Sequence, residues 1–284
     1  MKAPVSVLVP VRNEEINIAK CLRSLQWADE VYVVDSASAD RTVEIAGAMG
    51  AHVVQFRWNG QYPKKYNWAL ENIPWRNDWV LVVDADEEVT DEVAAEIAGL
   101  VRGDSDCAGY IVRFNYYLLG NKISHGDPLD KLILFRHRET RYENIDVPDI
   151  TGYDIEMHEH PMVQGRLGRL KSRMIHHDYA DLSHHLDRHN LYSDWEALLR
   201  TKYKNRSRAA ELLPDYKGNP SQRRRALKQL FLSLPGKPVW YFIYGYIIRG
   251  GFMDGKSGFA YNMLKSIHWY MVGLKEYEIK NGLK

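Results

Sequence analysis

The chain has 284 residues, 45% of them hydrophobic, which is enough to bury one large core or a core with a helical appendage and excludes a small stapled module. A formal net charge of +1 provides no global field for nucleic acid, so basic residues count only where they cluster. The two cysteines, Cys21 and Cys107, suit neither a disulfide framework nor a thiolate zinc site, and "MKAPVSVLVPVRNEE" reaches charge too soon for a secretory signal, so a cytoplasmic protein is expected.

Residues 5–9, "VSVLV", predict a strand that stops at Pro10, where a ladder donor is missing. In "NEEINIAKCLRSLQW", Ile16, Ile18, Cys21, Leu22 and Leu25 recur at near-helical spacing, with Asn13 as the expected cap and Glu14 and Glu15 in the first turn. "EVYVVDS", "AHVVQF" and "WVLVVD" read as further strands, separated by helices over "ADRTVEIAGAMG" and "PKKYNWALENI". Near-continuous apolar strands alternating with amphipathic helices predict an α/β fold, a mostly parallel sheet with helices on both faces. Ligands of such sheets bind beyond the carboxyl ends of the strands, where Asp35 and Asp84 both fall. After a helix over 90–102, "GYIVRFNYYLLG" and "KLILFRH" predict an antiparallel or mixed region. The remainder reads as helical, which divides the chain into an α/β domain over 1–180 and a helical region over 181–284.

The run "WVLVVDADEEV" ends an apolar strand on four carboxylates. Two aspartates one residue apart are costly to hold together, because like charges at short range raise each other's pKa. A divalent cation removes that cost, and hard oxygen ligands suit Mg2+ or Mn2+ with places left for substrate phosphates. The competing reading is a solvated turn in which Glu87, Glu88 and Asp91 favour the N-terminus of the next helix.

Taken in order, "VSVLVPVRNEEINIAKCLRSLQWADEVYVVDSASADRTVEIA" and "WVLVVDADEE" resemble the inverting nucleotide-sugar glycosyltransferases of family two, which have the GT-A fold. More loosely, "EMHEHPMVQGRLGRLKSRMIHHDYADLSHHLDRHNLYSDWEA" resembles the subgroup with bacterial lipopolysaccharide core glucosyltransferases and related surface-polysaccharide enzymes. The resemblance implies a nucleotide-sugar donor, a UDP-sugar by default, and a saccharide or lipid-linked saccharide acceptor. It also implies that Pro10, Arg12 and Glu14 border the nucleoside and that Asp35 hydrogen-bonds the base or ribose. Lys64 and Lys65 then face the diphosphate, and Asp84, Ala85 and Asp86 form the metal and diphosphate turn, with Asp86 the direct ligand.

Inverting transfer needs a carboxylate to deprotonate the acceptor hydroxyl on the face opposite the leaving diphosphate, so a later segment must supply it. "DIEMHEHP" offers Glu156, His158, Glu159 and His160, and the resemblance, which puts a His-Glu pair at this point, implies Glu159 as that base with His158 as orienter or substitute; Asp127 and Asp130 are rivals. In "MIHHDY", His177 is the candidate histidine for the metal or diphosphate. Near the C-terminus, "QRRRALKQLF" clusters cations, while "VWYFIYGYII" is about half the roughly 20 apolar residues that span a membrane. Aromatic rings with basic flanks suit a helix lying on the cytoplasmic face of the inner membrane, or else a helical core or a homo-oligomer contact. Other readings are a nucleotidyltransferase, which would need a glycine- and arginine-rich loop that "PVRNEE" lacks, or a non-catalytic recruitment module.

Overall fold

The computed structural model describes residues 2–59, 62–126, 130–143, 160–178, 182–202, 215–217 and 220–283. They group into two compact units, Met1–Tyr117 with Pro128–Tyr142 and Asp146–Asp178, and Leu118–Asp127 with Glu143–Ile145 and Tyr179–Lys284.

In the first unit, β1 (Ala3–Val11), α1 (Ile18–Arg23), β2 (Ala28–Asp35), α2 (Thr42–Ala48), β3 (His52–Gln55), α3 (Lys65–Asn72) and β4 (Trp79–Val82) alternate as expected. There follow β5 (Glu87–Glu88), α4 (Asp91–Arg102) and β6 (Cys107–Leu118), then β7 (Asn121–Ile123), which falls within the second unit. The strands β8 (Asp130–Arg136), β9 (Thr140–Tyr142), β10 (Pro161–Val163) and β11 (Arg166–Asp178) complete the first unit. The main sheet runs β3-β2-β1-β4-β8-β6-β11-β5. Its first four strands are parallel, whereas β8 is antiparallel to β4 and β6, and β11 is antiparallel to β5. Alternate residues of β1 and β4 serve opposite faces. Val5, Val7, Val9 and Leu81 join one apolar cluster with Ile18 and Ile97, while Leu8, Val80 and Val82 join another with Phe56, Ala69 and Phe135.

Contrary to expectation, Pro10 does not end β1. In a parallel ladder both backbone groups of one residue face the same neighbour, and Leu8 faces β4, accepting from the Val83 N–H. Pro10 faces that side too, where β4 has stopped at Val82, so its missing donor breaks nothing and β1 stays paired with β2 as far as Val11. Asn13 does not cap α1 either. It holds a left-handed backbone (φ 56°), and α1 begins five residues later at Ile18.

Strands β4 and β5 lie at positions four and eight of the sheet although only residues 83–86 separate them in sequence. Four strand spacings of about 4.8 Å exceed the reach of so short a link once it contains a turn. The sheet therefore curls, returning its far edge to the end of β4.

A buried network ties β1 to β2. Ser6 donates to Glu30 Oε1 at 2.5 Å, and the Arg76 backbone N–H and Nε donate to the two Glu30 oxygens at 2.8 and 2.9 Å. Burial would raise the Glu30 carboxyl, but these donors bring it below the usual glutamate range.

In the second unit, α5 (Leu182–Lys202), α6 (Pro220–Ser233) and α7 (Lys237–Phe242) precede a wider helical turn over Ile243–Ile248 and the long α8 (Gly255–Lys280). Lys275 on α8 joins α5 through Asn190, Ser193 and Asp194 at 2.6 to 3.0 Å. A Cβ on Gly258 would stand 1.9 Å from the Gly251 carbonyl oxygen, so backbone contact there demands glycine. Asp254 holds Ser124 and His125, accepting from both backbone N–H groups and lying 2.9 Å from His125 Nδ1. No helix among the described residues is long and apolar enough to cross a membrane.

His189 of α5 lies 3.3 Å from His268 of α8 and beside His185, and burial, with Lys265 and the other two imidazoles adding to it, drives its pKa down to about 3. Its folded pKa is below the unfolded value, so the unfolded chain binds more protons between those values and stability falls as pH drops from about 6.5. Replacing His189 by Phe is expected to flatten the decline in melting temperature between pH 6.5 and 4.5. For Glu30 the sign is the same and the window lower: its contribution is present above the ordinary glutamate pKa of about 4.3 and disappears as pH falls through the lowered folded value. Glu30→Gln should cost about 2 to 4 kcal/mol in urea unfolding at pH 7, and clearly less at pH 3.5.

Candidate functional site

At the end of β4, residues 84–87 make a tight turn in which the Glu87 N–H donates to the Asp84 carbonyl at 2.9 Å. The Asp84 N–H in return donates to Glu87 Oε2 at 3.0 Å. Ala85 is buried in the core at the middle of the turn, between the partly buried Asp84 and the more deeply buried Asp86. Helix α4 starts only at Asp91, where Thr90 caps it by accepting from the Val93 N–H. Glu87 and Glu88 are consequently not the opening of a helix; they form β5 and pair with β11.

That pairing sets His176 opposite Glu87 and Ile175 opposite Glu88, and the His177 N–H donates to the Asp86 carbonyl at 2.9 Å. Successive strand residues point to opposite faces, so the two histidines part company. His176 Nδ1 faces Asp86 Oδ1 at 3.5 Å and Glu87 Oε1 at 3.9 Å. His177, expected at the metal, instead points its Nε2 at Glu88 (3.0 Å) and Lys20 (2.9 Å). The imidazole on the Asp86 side is the one next to it in sequence.

Lys131, at the start of β8, lies 2.6 Å from Asp84 Oδ2 and 2.5 Å from Glu87 Oε1. Burial raises Asp84, but Lys131, and then His176 and Lys65, outweigh it and hold the carboxyl low. Glu87 is pushed up to about 8, first by burial and then, against the pull of Lys131, by Asp84 and Asp86. The same acids, after burial, push the Cys21 thiol well up. No group of three or more His, Cys, Asp and Glu among the described residues is arranged to hold a metal unaided.

The loops after β1 and β2 bind each other. Asn13 donates its N–H to Ser38 Oγ and accepts the Ala39 N–H, both at 2.8 Å; Glu14 donates its N–H to Thr42 Oγ1, and Glu15 to Asp40. Asp35 is buried and accepts from the Ser38 N–H (3.1 Å) and Oγ (2.5 Å), as a turn former does. Pro10 is half-buried and Arg12 exposed at this rim. Lys64 and Lys65, at the start of α3, are buried rather than solvated, and Lys65 is near enough to Asp84 to lower its pKa. Glu159, His158 and Asp127 lie outside the described residues. The rival acid Asp130 is held by Arg113 and Arg169, both at 2.9 Å, which against burial keep its carboxyl low, the wrong direction for a general base.

Sequence reasoning did not find Lys131, Lys20 or His176. A lysine opening an apolar strand and a lysine on an amphipathic helix read as solvated by default. Only contacts between elements distant in sequence bring them to the acids.

The sequence pattern described as Glycosyl transferase family 2 matches residues 6–157. An uncharacterized glycosyltransferase of Rickettsia typhi is 26% identical over 90% of this chain and 80% of its own length. The lipopolysaccharide core biosynthesis glycosyltransferase LpsC of Rhizobium meliloti is 24% identical over 100% of this chain and 95% of its own. Among solved structures, glucosyl-3-phosphoglycerate synthase from Mycobacterium tuberculosis, in complex with Mn2+, UDP and glucosyl-3-phosphoglycerate, is 28% identical over 40% of this chain, with a TM-score of 0.31. The match spans 44% of that enzyme, less than half its length. With the family pattern extending over more than half of its residues, the chain belongs to glycosyl transferase family 2 and is a glycosyltransferase.

Proposed function

We propose that the chain moves a sugar, with inversion at the anomeric carbon, from a nucleoside-diphosphate donor to a saccharide or lipid-linked saccharide in lipopolysaccharide or surface-polysaccharide synthesis. A UDP-sugar is the default donor. The observation that carries this reading is the meeting of Asp84, Asp86, His176 and Lys65 beyond the carboxyl end of β4. The relative LpsC, aligned over the whole chain, supports the substrate class.

The donor set fits a hard divalent cation. Asp86 presents a carboxylate beside an imidazole, with Asp84 in the same turn. Asp86 would be the direct ligand, Asp84 the flanking acid and His176 the nearby nitrogen. Mg2+ or Mn2+ held there would stabilise the charge building on the departing diphosphate. Lys65, preceded in the chain by the equally buried Lys64, provides a compact positive charge for the phosphates. Asp35 would accept from imide or hydroxyl donors of the nucleoside, bordered by Pro10, Arg12 and Glu14. Glu159, oriented by His158, would take the acceptor's proton from the opposite face of the sugar.

A second proposal concerns location. The segment 239–253 exposes Val239, Trp240, Ile247, Ile248, Phe252 and Met253, with Arg249 within it, which suits a peripheral position at the headgroups on the cytoplasmic face of the inner membrane. The same face could instead join two copies of the chain.

UDP with Mn2+ is expected to raise the melting temperature of the native protein, since a ligand bound only to the folded state must do so. Asp86→Ala should lose the Mn2+-dependent part of the shift. Glu159→Gln should keep it and lose transfer by about a hundredfold or more, and transfer at full rate would reassign the base. Flotation with anionic vesicles tests the second proposal: Trp240→Ser/Ile248→Ser should leave the vesicle fraction, and a wild-type chain that never enters it rules the membrane out.

A further inference from the structure

Gly245 settles which side of the wide turn over Ile243–Ile248 looks inward. A Cβ there would overlap Asn262 Oδ1 of α8, so the turn lies close against α8 on that side. Two and three residues on, Ile247 and Ile248 are 57% and 68% exposed, and Phe252 and Met253 follow with more than half of their surface in water. From Val239 to Met253 the chain carries one charged side chain, Arg249. The next acid, Asp254, is buried and turned to Ser124 and His125.

Arg249 is held from three directions. Its N–H donates to the Tyr244 carbonyl at 2.8 Å, its carbonyl accepts from the Gly126 N–H at 3.1 Å, and its Nε donates to the Gly126 carbonyl at 3.1 Å. Asp254 fixes the two residues before Gly126, so the partner of Arg249 is itself anchored. Among the described residues the hydrogen bonds of the guanidinium end at Nε, which leaves its two terminal nitrogens as a planar fork within an exposed apolar stretch. Such a fork matches the oxygens of a phosphate. Apolar side chains around a cation, with no exposed acid among them, match the boundary between lipid headgroups and acyl chains.

We propose that Arg249 is a binding residue for the phosphate of an anionic membrane lipid, its fork preset by Gly126, while Ile247, Ile248, Phe252 and Met253 enter the boundary beneath the headgroups. Asp254 is a positioning residue that acts on the fork through Ser124, His125 and Gly126. A preset fork loses less side-chain freedom on binding than the same charge on a loose stem. The proposal rests on the peripheral location given above and names the contact that makes it specific.

Co-sedimentation of the full chain with phosphatidylcholine vesicles, with and without phosphatidylglycerol, tests it. The wild type should bind the vesicles that contain phosphatidylglycerol. Arg249→Lys keeps the charge and loses the fork, and should lower that binding by about tenfold, whereas a diffuse field would leave it unchanged. Asp254→Asn makes the chain more positive, so a diffuse field predicts tighter binding; release of the clamp predicts binding weaker by about threefold or more. Glycerol 3-phosphate at constant ionic strength should not release the wild type, and release would assign the fork to a soluble phosphate instead. Should Asp254→Asn lose the native circular dichroism, Arg249→Lys decides alone. Wild-type binding by Arg249→Lys, or undiminished binding by a folded Asp254→Asn, overturns the role of Arg249 and leaves the peripheral location standing. A wild type that stays out of both kinds of vesicle removes the location as well, and if it is then a dimer broken by Ile248→Ser, the face belongs to a second copy of the chain.

Discussion

The first unit is organised around the cost of holding like charges together at the end of a buried strand. Asp84, Asp86 and Glu87 stand within one tight turn, and an uncompensated group of that kind would drive its members to protonate. Glu87 is raised to about 8, first by burial and then, against the pull of Lys131, by Asp84 and Asp86. Compensation comes from three directions: Lys131 from β8, His176 from β11 and Lys65 from α3. None is a sequence neighbour of the turn. The curl of the sheet, which the short 83–86 link imposes, is what returns β11 to the end of β4.

The rim beside this turn is stiff for a different reason. The "RNEE" loop and the loop after Asp35 have almost no regular structure where they meet, yet Asn13, Glu14 and Glu15 are each hydrogen-bonded to the other loop. Side chains that bond to backbone N–H groups substitute for a ladder. The left-handed backbone of Asn13 belongs to this arrangement, since short amide side chains tolerate that conformation where most residues do not. A pair of loops tied together this way needs little ordering when a ligand arrives, which limits the entropic cost of binding.

The order and type of the first seven elements are legible in the sequence because apolar periodicity reports burial directly. The Asp84–Asp86 turn is legible because four carboxylates closing an apolar run have few inexpensive explanations. Boundaries were less so. Pro10 signals a stop only if its missing N–H faces a neighbour, and which neighbour still runs alongside at that point is a property of strand order. Glu87 and Glu88 carry the composition of a helix start, and only pairing with Ile175 and His176 makes them a strand. The placing of His177 is illegible for the same reason: alternation sends adjacent histidines to opposite faces, and the register of β11 against β5 turns His176 to Asp86 and His177 to Glu88.

Ala85 exposes the constraint beneath the motif. Its methyl group is packed in the core with Val83 and Val89, so the turn is anchored by the apolar residue between its two acids. A polar side chain there would be buried without a partner, and a large one would lift the turn off the core and carry both carboxylates with it. The spacing of Asp84 and Asp86 is thus as much a consequence of packing below the turn as of chemistry above it. One acid is directed to Lys131 and the other to His176 because the residue between them must point inward.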